Sequence, residues 1–355
     1  MTKKYKIAFM PGDGIGNDVM EAAKMVIDEG TDFNAEYIPG DIGWHFWETE
    51  GDALPERTVE MMKETDAALF GAITSKPNVP GYRSPIVRLR QIFDLYSNMR
   101  PCKAYPGNPL NYRDDIDIIV FRENTEGLYS GIEFYDLEKL KQLEEFQKYD
   151  PKKTTVSCRV FTESGCRRIV KRAFQYAQDH DYPTVTLIHK GNVIRATDGM
   201  MLRVADEIAE EYPEIELWKQ NVDAMCMQLV KNPQDFGILV SSNMFGDIIS
   251  DLTAQLVGGL GFAASASTSD SYGLFEPTHG SAPKYAGQYK VNPIAGILSV
   301  KYLFDWLGET KLGSNLEEAV KTNIKEGKVR TYDLGGDAST LDVAKDIIRI
   351  LDELD

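Results

Sequence analysis

Short apolar runs separated by helical stretches limit this chain to few architectures. "YKIAFM" (5–10), "AALFGA" (67–72), "IDIIVF" (116–121), "VTLIH" (185–189) and "FGILVS" (236–241) are of strand length. Helical patterns lie between most of them: 18–29; 163–178, with Thr162 as its N-cap; and 198–212, which follows Thr197 and stops at Pro213. The last, 339–354, carries a clear apolar stripe. Strands alternating with helices indicate an α/β protein. Gly- and Pro-rich loops punctuate it at 11–18, 74–85, 100–115 and 257–273. The charged segment "YDLEKLKQLEEFQKYDPKK" (135–153) reads as a solvated surface helix or insertion.

A chain of 355 residues is long for one simple domain and short for three, so two lobes or one large α/β unit are expected. With 39 basic and 55 acidic residues the net charge is −16, which argues against non-specific binding to nucleic acid or to anionic membranes. A small anion, which senses only its local pocket, is not excluded. The N-terminus has no apolar run of the signal-peptide kind, and no apolar stretch of about 18 residues occurs. Cys102, Cys158, Cys166 and Cys226 form no CxxC pair and read as the reduced, packed thiols of a cytoplasmic protein. His45, His180, His189 and His279 lack HExxH spacing, so a histidine zinc site is not expected.

"GDGIG" (12–16) follows a strand and precedes a helix, but it is not GxGxxG, and the glycines of a tight turn explain it equally well. "NMFGDIISDLTAQ" (243–255) says more. Asp247 and Asp251 share one helix face, where like charges repel by roughly a few tenths of a kcal/mol. Gly246, Ile248 and Ile249 make the segment half-buried, at the C-terminal end of a strand. Carboxylates so placed are good ligands for Mg²⁺ or Mn²⁺. A third must come from elsewhere, and Asp223 is a candidate. Arg90, Arg100 and Arg122 lie at strand or loop edges, and guanidinium groups suit bidentate carboxylate binding. Three arginines and a divalent cation point to a substrate with several carboxylates.

Five ordered motifs then acquire a context: "LRQIFDLYSNMRP", "RENTEGLYSGIE", "HKGNVIRATDG", "GDIISD" and "EPTHGSAPKYAGQYKVNP". Together they resemble the β-decarboxylating dehydrogenases, the isocitrate, homoisocitrate, 3-isopropylmalate and tartrate/malate enzymes. The likeness runs from the first strand to "TYDLGGDAST" (331–340). It implies a two-domain, non-Rossmann α/β subunit, with 1–99 plus 255–355 as the large cofactor-binding domain and 100–254 as the small one. It also implies a homodimer in which each active site borrows residues from its partner. Arg90, Arg100 and Arg122 would clamp the malate portion of the substrate, with Asn192 beside them. Asp247 and Asp251 would hold the metal with Asp223 of the other subunit, and Tyr129 and the partner-supplied Lys190 would be the acid/base pair.

The resemblance also bears on cofactor and substrate. The loop at 279–293 would carry the adenosine, with His279, Gly280 and Asn292 lining the adenine pocket and Thr74 also on the cofactor. NAD-using members usually have an acidic residue where Lys284 stands. Lys284, Tyr285, Val291 and Tyr332 match the NADP-dependent isocitrate enzymes, although Gly336 replaces an arginine found in some of them. NADP is therefore the expected cofactor, with NAD second. Ser84 matches the serine that meets the γ-carboxylate of isocitrate. Ile86 stands in place of an asparagine, and Val87 in place of an extra arginine of homoisocitrate enzymes; Arg83 and Arg88 could reach a distal carboxylate. Isocitrate ranks first, homoisocitrate or dual specificity second, 3-isopropylmalate third. A regulatory subunit, the non-enzymatic alternative, would have lost part of this set.

Overall fold

The structure, a computed structural model, describes residues 3–76 and 79–354, so Pro77 and Asn78 of the 74–85 loop and the extreme termini lie outside the described residues. In chain order the strands are β1 (Tyr5–Gly12), β2 (Ala35–Pro39), β3 (Ala67–Ala72), β4 (Ser97–Lys103), β5 (Asp117–Glu123), β6 (Glu133–Phe134), β7 (Val156–Ser157), β8 (Thr184–His189), β9 (Glu216–Asn221), β10 (Ile238–Ser241), β11 (Ala264–Thr268) and β12 (Gly273–Pro277). The helices are α1 (Ile15–Gly30), α2 (Trp44–Glu50), α3 (Glu56–Lys63), α4 (Pro85–Ile92), α5 (Glu163–Asp179), α6 (Arg195–Ala209), α7 (Val222–Lys231), α8 (Asn243–Leu256), α9 (Ile294–Leu307), α10 (Thr310–Glu326) and α11 (Thr340–Leu354). No helix among the described residues is long and apolar enough to cross a membrane.

Ten strands form one mixed sheet in the order β2-β1-β3-β12-β11-β4-β5-β10-β8-β9. Its outer parts are parallel, as helical crossovers require, while β12–β11, β11–β4 and β4–β5 pair antiparallel at the centre. Successive strand side chains point to opposite faces, and each face is covered by two helical blocks. On the rear face α1, α9, α10 and α11 cover Ile7 and Leu69, while α5 and α6 cover Phe121 and Val240. On the front face α3 and α4 cover Met10 and Phe70, while α7 and α8 cover Val120 and Leu239. Each large side chain buried this way contributes about 1.5–3 kcal/mol. Between the blocks the central strands present polar side chains, and the candidate site lies there.

Several expectations change. The 135–153 segment forms no α-helix: only the 3₁₀ turns Glu144–Phe146 and Pro151–Lys153 occur in it, and no amphipathic face packs on the core. Thr162 does cap α5, accepting from the Gly165 amide at 3.0 Å. Thr197 lies inside α6, which starts at Arg195, and its hydroxyl accepts from Arg159 at 2.9 Å. The loops expected at 100–115 and 257–273 contain most of β4 and all of β11. "GDGIG" is a tight turn. Gly14 has φ +58, and a Cβ there would fall 2.1 Å from the Ser281 carbonyl, to which Ile15 N donates at 2.8 Å.

Candidate active site

Arg90 reaches the front face from α4, Arg100 from β4 and Arg122 from β5, and they are 7%, 8% and 1% exposed. Three buried like charges stand only because each is hydrogen-bonded. Arg90 donates to Glu276 at 3.0 Å. Arg100 Nε donates to Asn98 Oδ1 at 2.7 Å, and Asn98 donates in turn to Ser265 and Ser267 at 3.1 and 2.9 Å. Arg122 donates from Nε and Nη2 to Asn243 Oδ1 at 2.9 and 2.7 Å and also pairs with Asp247. Burial, then Arg100 and Arg90, push Arg122 down to about 9, so it remains a cation at neutral pH. Arg90 Nε is buried without a partner, a donor left for something outside the chain.

Asp247 is the hub of the cluster. It accepts from Arg122, from Arg100 at 3.3 Å and from the Tyr129 hydroxyl at 2.5 Å. Burial opposes its ionisation, but Arg122 and Arg100 outweigh that and hold its carboxyl below the usual range. Asp251, one turn on and 3.6 Å from Arg100, has its pKa raised by burial against the pull of Arg100. Tyr129 is shifted upward by burial and by its bond to Asp247, so its phenol keeps its proton. Gly246 makes this approach possible: a Cβ on it would lie 2.8 Å from Arg122 Cβ. Gly246→Ala should therefore lower unfolding free energy by about 1–3 kcal/mol in urea titration; an unchanged midpoint would mean that α8 can slide away from β5.

The other predicted residues separate into two places. Lys190 pairs with Asp223 on α7, whose carboxyl is held low by that bond, and Lys190 N donates to the buried Asp198 at 2.6 Å. Among the described residues no hydrogen bond or ion pair joins Lys190 and Asp223 to Asp247 and Asp251, and no three metal-ligating side chains converge. Among the described residues, Asp247 and Asp251 are thus two carboxylates of hard-cation type with no third metal-ligating side chain converging on them. Asn192 is exposed near Lys190.

The second place is the loop after β12. Lys284 lies 4.7 Å over the Tyr285 ring, Tyr285 is 6.1 Å from Tyr332, and Lys290 lies 4.8 Å over Tyr332. Hydrogen bonding to Lys284 lowers the Tyr285 pKa. Nearby His279 Nε2 is buried without a partner, and Gly280 is open to solvent. Thr74 Oγ1 lies 2.6 Å from Ser281 Oγ. Two residues carried with this loop face inward instead. Val291 is part of the core, and Asn292 is engaged with Asp333 at 3.1 Å and with Ile294 N at 3.0 Å.

At α4, Ile86 is 9% exposed and packs in the cluster that holds Leu89 and Phe70, so most of its apolar surface is spent on the core. Val87 packs against the same core, and Arg88 is tied to Asp52. Ser84 is different. It is the N-cap residue of the helix, before Pro85, but its hydroxyl makes no capping bond. Asn98, Asn243 and Glu276, which hold the arginines, were missed as site residues. Their signal was placement: Asn98 and Glu276 lie within the quoted motifs and Asn243 begins the aspartate segment.

Comparison with known proteins gives this geometry a family. The isocitrate/isopropylmalate dehydrogenase family matches residues 6–347. Homoisocitrate dehydrogenase of Methanocaldococcus jannaschii is 43% identical, covering 98% of this chain and 97% of that protein. 3-Isopropylmalate dehydrogenase of Methanothermobacter thermautotrophicus is 41% identical, covering 99% of this chain and 100% of the relative. The crystal structure of isocitrate dehydrogenase from Methylococcus capsulatus superposes with a TM-score of 0.89 at 37% identity, covering 98% and 99% of the two chains. From its first strand to its last helix, this chain belongs to the isocitrate/isopropylmalate dehydrogenase family, and it is an enzyme of that family.

Proposed function

We propose that the enzyme oxidatively decarboxylates isocitrate to 2-oxoglutarate with NADP, using Mg²⁺ or Mn²⁺. The observation that carries the substrate is the α4 N-terminus. Ser84 Oγ has no capping bond, Arg83 is exposed with no ion-pair partner among the described residues, and the helix begins there with Pro85, which has no N–H, so the orphan amides are those that follow it. That is a seat for a distal carboxylate, which isocitrate has and 3-isopropylmalate lacks. Homoisocitrate is the second reading: Arg83 reaches further than Ser84, and the Methanocaldococcus relative bears that name. Assay of the purified enzyme with Mn²⁺, each of the three acids and NADP⁺ or NAD⁺ tests it through nicotinamide reduction. Isocitrate with NADP⁺ should give the highest kcat/KM; preference for 3-isopropylmalate would remove the distal-carboxylate seat.

The family uses a divalent metal and NAD or NADP. Two oxygen donors at Asp247 and Asp251 fit the former, and the Lys284–Tyr285–Lys290–Tyr332 cluster fits a phosphate of the latter. When bound, these groups supply Lewis acidity at the substrate oxygens and accept hydride. The chain's own residues do the rest. Arg90, Arg100 and Arg122 fix the carboxylates, with Arg90 Nε supplying the free donor. Lys190 of the partner subunit, its backbone N held by Asp198, takes the hydroxyl proton as hydride leaves once it is neutral and released from Asp223; as the ammonium it stabilises the developing alkoxide instead. After CO₂ departs, Tyr129 delivers its retained proton to the enol carbon.

The reading includes a homodimer. Val193, Met227, Val230 and Ile248 are 67%, 74%, 50% and 53% exposed beside Lys190, Asp223 and Asp247. An apolar surface adjoining an incomplete ligand set supports burial against a second copy, which would bring the partner's Asp223 to the metal. Met227→Asp should give a monomer by light scattering with turnover at least about a hundredfold lower; an active monomer would exclude sharing. The buried clusters divide mostly along 1–99 plus 255–355 and 100–254, which supports those two domains. The unbridged cysteines support a cytoplasmic location.

A further inference from the structure

Behind the arginines, on the rear face, lies a second cleft of about 880 Å³. Its floor is the opposite side of the same strands: Ser97, Met99 and Pro101 of β4 with Ile119 and Phe121 of β5. One wall carries Tyr176 and Tyr182 from the end of α5 and the turn beyond it. The other carries Tyr302 and Trp306 from α9. No step proposed above uses any of these residues.

Four carboxylates and three cations line the cleft, an excess of one negative charge, with His180 stacked on Tyr176 beside them. Lys301 is held by Asp305 at 2.8 Å and Glu317 at 3.7 Å, and Lys103 by Glu317 at 3.1 Å. Asp117 and Asp181 then have no ion-pair partner among the described residues, and the exposed Arg172 lines the same cleft. The wall tyrosines register the excess. Tyr176 and Tyr182 are shifted upward by burial and next by Asp117, Tyr302 by burial, Tyr105 and Glu317. An independent observation comes from the floor. Ser97 is 1% exposed, lines the cleft, and its Oγ has no hydrogen-bond partner. A buried hydroxyl in that state calls for a donor from outside the chain.

We propose that the rear cleft binds an organic ammonium ion of diamine or polyamine type, its methylenes along Met99, Ile119 and Phe121 and its ammonium groups against the aromatic walls, Asp117 and the Ser97 hydroxyl. Aromatic faces framed by carboxylates select cations over anions, and a flexible aliphatic amine fits a cleft with an apolar floor. The occupant would press on the strand whose other side holds Arg100 through Asn98. The site is independent of which hydroxy acid the front face takes.

Calorimetric titration of the full-length enzyme with putrescine and with spermidine tests this. One saturable site per chain is expected. Asp117→Asn and Trp306→Ala should each weaken it at least tenfold, whereas Glu353→Gln, a charge-matched change on the exposed end of α11, should leave it unchanged. Thermal unfolding of each variant checks the fold, and Ser97→Ala, a smaller change, should weaken binding where Trp306→Ala fails to fold. Absence of saturable binding, equal loss with Glu353→Gln, or tighter binding of inorganic phosphate than of either amine would overturn the proposal.

Discussion

Replacing Asp251 by asparagine is expected to lower metal-supported kcat/KM by about a thousandfold while leaving the fold intact. The fold survives because the side chain is 64% exposed and, among the described residues, its one ion-pair contact is Arg100 at 3.6 Å. Turnover falls because the amide removes a negative oxygen donor from the pair that would hold the divalent cation, and losing one electrostatic group of a catalytic site costs roughly 10²–10³ in rate. Asp247 cannot compensate, since beyond its bonds to Arg122, Arg100 and Tyr129 it has about one lone pair left, which is its own share of the cation. The measurement is kcat/KM against Mn²⁺ concentration, alongside the unfolding midpoint. Turnover within threefold of the parent enzyme would take the metal away from α8.

The second large effect is in the cofactor. Lys284→Asp combined with Tyr285→Ile should move the NADP⁺/NAD⁺ preference toward NAD⁺ by at least about a hundredfold. Each hydrogen bond to a charged group is worth about 1.5–3 kcal/mol, so two lost donors already amount to roughly 10²–10⁴ in affinity, before repulsion from the new carboxylate. Both residues stand on the short turn Pro283–Tyr285, away from the arginines and aspartates, so the hydroxy-acid preference should not change. An unaltered cofactor ratio would place the 2′-phosphate elsewhere.

The elements that could be read from the chain are those whose neighbours along it carry the signal. β1, β3, β5, β8 and β10 lie between helical layers, so each carries a run of buried, mostly apolar residues that stands out. β4 reads "SNMRPCK" because its front side carries Asn98 and Arg100 and its rear side lines the second cleft. A central strand given over to polar contacts loses its hydrophobic signature. β11, "ASAST", fails for a related reason: its small side chains pack closely between two antiparallel neighbours and supply Ser265 and Ser267 to Asn98. The charged 135–153 stretch misled in the other direction, since helix propensity without a face to bury does not hold a helix.

The candidate site divides in the same way. Two aspartates four residues apart and three arginines near strand edges could be singled out from residue type and spacing, and motif likeness supplied their company. That Ile86 turns into the core, that Arg88 is spent on Asp52, and that Asn98, Asn243 and Glu276 orient the arginines could not. Periodicity is a property of adjacent residues and survives in one dimension, so strand, helix and the Asp247–Asp251 face were already present in the order of the letters. Which guanidinium meets which carboxylate depends on chain segments more than a hundred residues apart being pressed onto one sheet, as Arg122 and Asp247 are, and that proximity exists only after the layers have packed.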